Sequence, residues 1–94
     1  MAKFTTRIAL RDATTEDYEK LDAAMLEEGF TKTLKSSDNG IFILPAGEYN
    51  MEVDADIKEI YLLAEKLANA TGRKNWILTS ETINRMWKLQ EIFD

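Results

Sequence analysis

Ile41-Phe42-Ile43-Leu44-Pro45-Ala46-Gly47-Glu48-Tyr49-Asn50-Met51-Glu52-Val53 is the stretch on which the fold turns. It opens on four apolar residues, breaks at Pro45-Ala46-Gly47, and resumes with Tyr49, Met51 and Val53 alternating against Glu48, Asn50 and Glu52. Alternation with a period of two marks a half-buried strand. Proline cannot donate to a strand ladder, so 45–47 reads as a bulge or bend inside one interrupted strand. Ile41 and Ile43 point away from Phe42 and Leu44, so the face turned from the core needs some apolar cover.

Working outward, Asp38-Asn39-Gly40 tolerates positive φ and predicts a tight hairpin back to a strand over Phe30 to Ser37. Further upstream, Lys3 to Arg11 alternates. Phe4, Thr6, Ile8 and Leu10 share one face, and Lys3, Thr5, Arg7, Ala9 and Arg11 share the other. Between these strands Thr14 or Thr15 offers an N-cap, Tyr18, Leu21 and Met25 recur at helical spacing, and Gly29 suits a terminator. Downstream, Asp54 or Asp56 caps a second helix with Ile57, Ile60, Ala64, Leu67 and Thr71 on one stripe, ending at Gly72. Trp76 to Thr79 follows as a strand, with Ile77 opposed to Trp76 and Leu78. Ser80 or Thr82 caps a last helix carrying Ile83, Met86, Trp87 and Gln90, with Leu89 and Phe93 beside them; a short strand over Arg85 to Leu89 is the alternative.

Strand, helix, hairpin, helix, strand predicts a ferredoxin-like split βαβ of βαββαβ order, in the α+β class. This is one four-stranded antiparallel sheet with two helices on one face and a short C-terminal helical extension. The 94 residues form one domain, with its core over 3–79 and the extension over 80–94. The C-terminal segment or a second subunit, as in a homodimer, is the expected cover for the open face.

The chain has no cysteine and no histidine, which excludes disulfides, thiol nucleophiles and imidazole-based zinc sites. Acid–base chemistry then falls to Asp, Glu, Lys or Tyr. The N-terminus lacks the apolar core of a signal peptide and no apolar run reaches membrane-spanning length, so a cytoplasmic location without membrane contact is expected. A net charge of −5 argues against loose, nonspecific nucleic-acid binding, and no DNA partner is expected. The charge is divided, however. Acids crowd the first helix, whereas the first two strands hold Lys3, Arg7, Arg11, Lys32 and Lys35 with no acid, an arrangement able to confine a polyanion to one sheet face.

Arg11-Asp12 at the end of the first strand is the candidate chemical group. A carboxylate there can position a water or a divalent metal, and guanidinium groups grip phosphate oxygens; an aspartate just ahead of a helix also serves as a turn residue. Lys3, Arg7, Arg11 and Lys35 are the candidate phosphate contacts. Asn50, Glu52, Asp54 and Asp56 alternate but lack the glycine of a calcium loop. The four glycines are too dispersed for a phosphate-binding loop. The first strand has no central stacking aromatic of the RNA-recognition-motif kind. Tyr18, Trp76 and Trp87 read as core or interface aromatics.

Lys3-Phe4-Thr5-Thr6-Arg7, Asp12-Ala13, Asp17-Tyr18, Leu21, Met25 and Gly29-Phe30-Thr31 resemble the GhoS family, antitoxins of type V toxin–antitoxin systems. Leu44-Pro45, Glu48-Tyr49-Asn50 and Ala70-Thr71-Gly72-Arg73-Lys74 extend the resemblance over residues 3 to 79. It implies a ferredoxin-like fold similar to the Cas2 nucleases, and an endoribonuclease that cleaves the messenger of a small membrane-damaging toxin. Those nucleases place an aspartate at the end of the first strand, where Asp12 stands here. The competing expectation is a non-catalytic interaction or dimerisation module of phage or mobile-element origin.

Overall fold

The computed structural model describes residues 1–92. In order, it contains β1 (Ala2–Leu10), α1 (Thr15–Glu27), β2 (Thr33–Lys35), β3 (Ile41–Ile43), β4 (Glu48–Val53), α2 (Ile57–Asn69), β5 (Asn75–Thr82) and β6 (Gln90–Ile92). Phe93, expected beside the last helix, lies outside the described residues. The alternation in β1 holds: Phe4, Thr6, Ile8 and Leu10 are buried, whereas Lys3, Arg7 and Ala9 are exposed. Leu21 and Met25 of α1 and Ile60, Ala64 and Ala68 of α2 close over the buried row. Each large apolar side chain so buried contributes about 1.5–3 kcal/mol. The alanines keep that stripe of α2 small enough to lie close to the sheet.

The single four-stranded ferredoxin-like sheet is not formed. The strands make two separate three-stranded antiparallel sheets: sheet A, ordered β4-β1-β5, and sheet B, ordered β2-β3-β6. The cause is the break at 45–47, which separates β3 from β4 instead of bending one strand. The expected second strand, 30–37, is divided in the same place. Thr31 pairs with Asn50 of β4 in an isolated bridge, with reciprocal N–H to O distances of 2.7 and 2.8 Å, while Thr33–Lys35 follow β3 into sheet B. Lys32 braces the divergence. Its carbonyl accepts from Leu44 N–H at 2.7 Å, and its ammonium donates to the carbonyls of Pro45 at 2.8 Å and Glu48 at 3.0 Å.

The C-terminal helix is also absent among the described residues. β5 runs on to Thr82 because it pairs with β1 as far as Lys3, and residues 83–89 then cross irregularly to β6. Helical spacing of Ile83 and Met86 finds no core to face, since they are 92% and 99% exposed. Trp87 instead packs edge-on against Phe42 of sheet B, with ring centroids 5.7 Å apart.

Of the offered caps, Thr14 and Asp56 are used. Thr14 forms a reciprocal capping box with Asp17, and Asp56 accepts from Glu59 N–H at 3.0 Å. Asp17 also meets Arg73 at 3.0 Å, tying α1 to the loop before β5. The Thr14 N–H chiefly, then the Thr14 hydroxyl and Arg73, outweigh partial burial and hold the Asp17 carboxyl below the ordinary aspartate range. Because its folded-state pKa is depressed, its stabilisation is complete above about pH 4, the unfolded value, and is lost as pH falls through the folded value. Asp17→Asn should therefore lower stability to urea at pH 7 and converge on the parent protein in acid. A constant gap across the whole pH range would show that the loss is not electrostatic.

Candidate nucleic-acid interface

The helices cover the Phe4 face of sheet A and leave its other face to solvent on most of its area. Strand register fixes what meets there. Lys3 lies between Glu52 and Thr82, Thr5 between Asn50 and Ser80, Arg7 between Glu48 and Leu78, and Ala9 faces Trp76. The basic row of β1 is thus bordered by acids of β4 on one side and by an apolar-to-polar row of β5 on the other. The face is not uniformly positive, because antiparallel pairing sets Glu48 and Glu52 directly across from Arg7 and Lys3. Among the described residues neither Arg7 nor Lys3 closes an ion pair with them.

Positive charge is concentrated instead at two ends of this face. At the far end of β1, Trp76 stands 53% exposed, with the Lys74 ammonium 5.8 Å from its ring centroid. The Lys74 carbonyl accepts from Arg11 N–H at 2.8 Å, which brings Lys74 and Arg11 together. Arg7, Ala9, Trp76 and Leu78 line a shallow hollow of about 290 Å³ beside them. Asp12 closes the strand in a turn with φ of 52°, its carboxylate 3.6 Å from the Arg11 guanidinium and 84% exposed. Among the described residues no three His, Cys, Asp or Glu side chains gather to hold a metal ion.

At the near end, Lys3, Lys35, Glu52, Arg85 and Trp87 line a cleft of about 620 Å³ between the two sheets. Arg85 is mostly buried, donating to Thr5 Oγ1 at 3.2 Å and pairing with Glu52 at 3.7 Å. It neutralises the acid on the cleft wall, and among the described residues neither lysine of the cleft closes an ion pair. The candidate residues therefore fall into two groups, Lys3 with Lys35 and Arg7 with Arg11 and Asp12. Eight residues of strand separate Lys3 from Arg11, about 26 Å at the usual rise.

A third polar cluster braces the fold. Tyr49 is fully buried and donates its hydroxyl proton to Asp22 Oδ1, and the Lys32 ammonium sits 4.7 Å from its ring. Burial, followed by the Asp22 hydrogen bond and charge, drives the Tyr49 hydroxyl far above the ordinary tyrosine range. Burial pulls the Lys32 ammonium down, opposed by Asp22 and Glu48. Both lysine carbonyl contacts lie at the 45–48 turn, so these groups hold the sheet junction and do not face a ligand.

Lys74, Trp76 and Arg85 are the site residues that sequence reasoning missed. Trp76 is not a core aromatic. Its parity with Leu78, opposite Ile77, was the available signal that it stands on the open face. Nothing local marks Arg85, whose role depends on contacts 80 residues away with Thr5. No helix among the described residues is long and apolar enough to cross a membrane. No known protein family's sequence profile matches this chain, and no curated protein matches it.

Proposed function

We propose that this chain acts on single-stranded RNA, as its resemblance to the GhoS family implies, with the strand lying along the open face of sheet A between the Lys3–Lys35 cleft and the Arg11–Asp12 turn. The observation that carries this reading is the exposed Trp76 ring with the Lys74 ammonium near its face and Arg7 in the same hollow, next to the strand end where the Arg11 backbone bonds that of Lys74. A base stacks on an aromatic face regardless of its identity, while the cations take the flanking phosphates. Lys3 and Lys35 hold the strand at its other end. Arg11 grips the phosphate nearest the turn, and Asp12 positions the attacking group there. The acids of β4 confine the strand to the β1–β5 side.

The test is fluorescence anisotropy with a short labelled RNA. Trp76→Ala should weaken binding about tenfold or more, since base–aromatic stacking contributes about 1–3 kcal/mol, and Trp76→Phe should restore most of it. Equal affinity of the parent and Trp76→Ala proteins would remove the stacking platform. The interaction-module reading has one observation of its own: the outer face of sheet B exposes Ile41, Ile43 and Ile92, with Ile41 directly opposite Ile92. A parent protein that binds no RNA at low salt would favour that reading.

A further inference from the structure

We propose that two copies of this chain join edge to edge through β5, making a continuous six-stranded antiparallel sheet about a twofold axis at Leu78. β5 is eight residues long and pairs on one side with β1. Among the described residues no strand occupies its other side. Open strand edges normally carry protection against association, such as proline, lysine, a bulge or short length. Asn75-Trp76-Ile77-Leu78-Thr79-Ser80-Glu81-Thr82 has no proline, no basic residue and no glycine, and it pairs with β1 without interruption. The remaining edges are managed. β4 is met by the Thr31 bridge, and β2 and β6 are three residues each, with Lys35 on β2.

The row along β5 is complementary to itself, which identifies the occupant as a second copy. A twofold axis perpendicular to the sheet keeps both open faces on the same side. It therefore allows only registers in which a residue meets one of the same parity. With Leu78 on the axis, Leu78 meets its own counterpart, Ile77 meets Thr79, Trp76 meets Ser80, and Asn75 meets Glu81. Apolar meets apolar at the centre, the largest side chain lies beside one of the smallest, and the only charge of the strand meets an amide. No like charges are opposed. Leu78, 62% exposed in the single chain, gains a lateral partner. Lys3 pairs with Thr82 at the end of β5, so the two Lys3–Lys35 clefts lie at opposite ends of the strand pair and stay open.

Directly opposed residues in an antiparallel pair have Cα atoms about 4.5–5.5 Å apart, within the range a disulfide spans. The chain has no cysteine, so Leu78→Cys provides a single thiol on the axis. In the full-length protein, mild oxidation should convert Leu78→Cys to a covalent dimer on a non-reducing gel. Ser80→Cys, whose counterpart is displaced by four residues or about 13 Å along the strand, should stay largely uncrosslinked. Light scattering on the parent should give twice the 10.8 kDa chain mass at high concentration. Leu78→Lys should return it to one chain with an unchanged circular dichroism spectrum. A parent protein that stays at the single-chain mass throughout, or a dimer in which Leu78→Cys crosslinks no faster than Ser80→Cys, would overturn the proposal.

Discussion

Gly47→Ala should destabilise this protein more than any other single methyl addition at its glycines. Gly47 has φ of +80°, and a Cβ placed there would lie 2.4 Å from the carbonyl oxygen of Ile8. That oxygen belongs to the central strand of sheet A, whose Ile8 N–H also donates to Gly47 O at 2.7 Å. Neither backbone can retreat without opening the β1–β4 ladder. Gly72 is the internal control: its φ is +78°, but nothing lies within 4 Å of an added Cβ. The left-handed backbone alone costs a non-glycine residue about 1–2 kcal/mol, which is the loss expected for Gly72→Ala. Gly47→Ala should lose about 3 kcal/mol or more, a large part of the roughly 5–15 kcal/mol that holds a small domain folded. Urea unfolding of the two variants side by side measures the difference. Equal losses would mean that the 45–47 break is pliable and does not direct strand pairing.

Asp12→Asn should lower RNA cleavage about a hundredfold, the scale of losing a positioned acid–base group, while leaving RNA affinity nearly unchanged. The substitution suits the site. Asp12 occupies a left-handed turn position, asparagine tolerates the same conformation, and among the described residues the exposed side chain has only the Arg11 contact to lose. Arg11→Ala should act differently, weakening binding through the lost phosphate contact as well as slowing the reaction. Single-turnover cleavage at saturating protein separates the two effects. Undiminished cleavage by nuclease-free Asp12→Asn protein would make Asp12 a turn residue only, and no cleavage by the parent would leave an RNA-binding face without hydrolysis.

The parity of β1, both helices and their caps were legible because each depends on residues within a turn or two of one another. The Pro45-Ala46-Gly47 break was visible as well, but its consequence was not. Whether Phe30 to Ser37 follows the strand before the break or the one after it is decided by Lys32, which bonds Leu44, Pro45 and Glu48 across 12 to 16 residues. The division into two sheets follows from those nonlocal bonds. At the C-terminus, the helical spacing of Ile83 and Met86 was real but had no buried surface to face, so Trp87 against Phe42 and pairing of β6 with β3 prevailed. The basic row of β1 was read correctly, and the acids opposite it were placed on an alternating face of their own. Joining the two readings needed the register of β1 with β4. Trp76 shows the same limit, since parity gave its face while only the fold showed that the face lies open beside Lys74 and Arg11.

The salt dependence of RNA binding tests the central claim most directly. If a single strand lies along sheet A with its phosphates on cations such as Lys3, Arg7, Arg11 and Lys74, affinity for a short RNA should fall as salt rises. Five such contacts, with Lys35 beside Lys3, give a slope of log K against log salt of about −3.5. Replacing Arg7 and Lys74 together by alanine should reduce the slope by about 1.4. A parent protein with no measurable binding at low salt, or a double variant that binds with the same affinity and slope, would contradict the account.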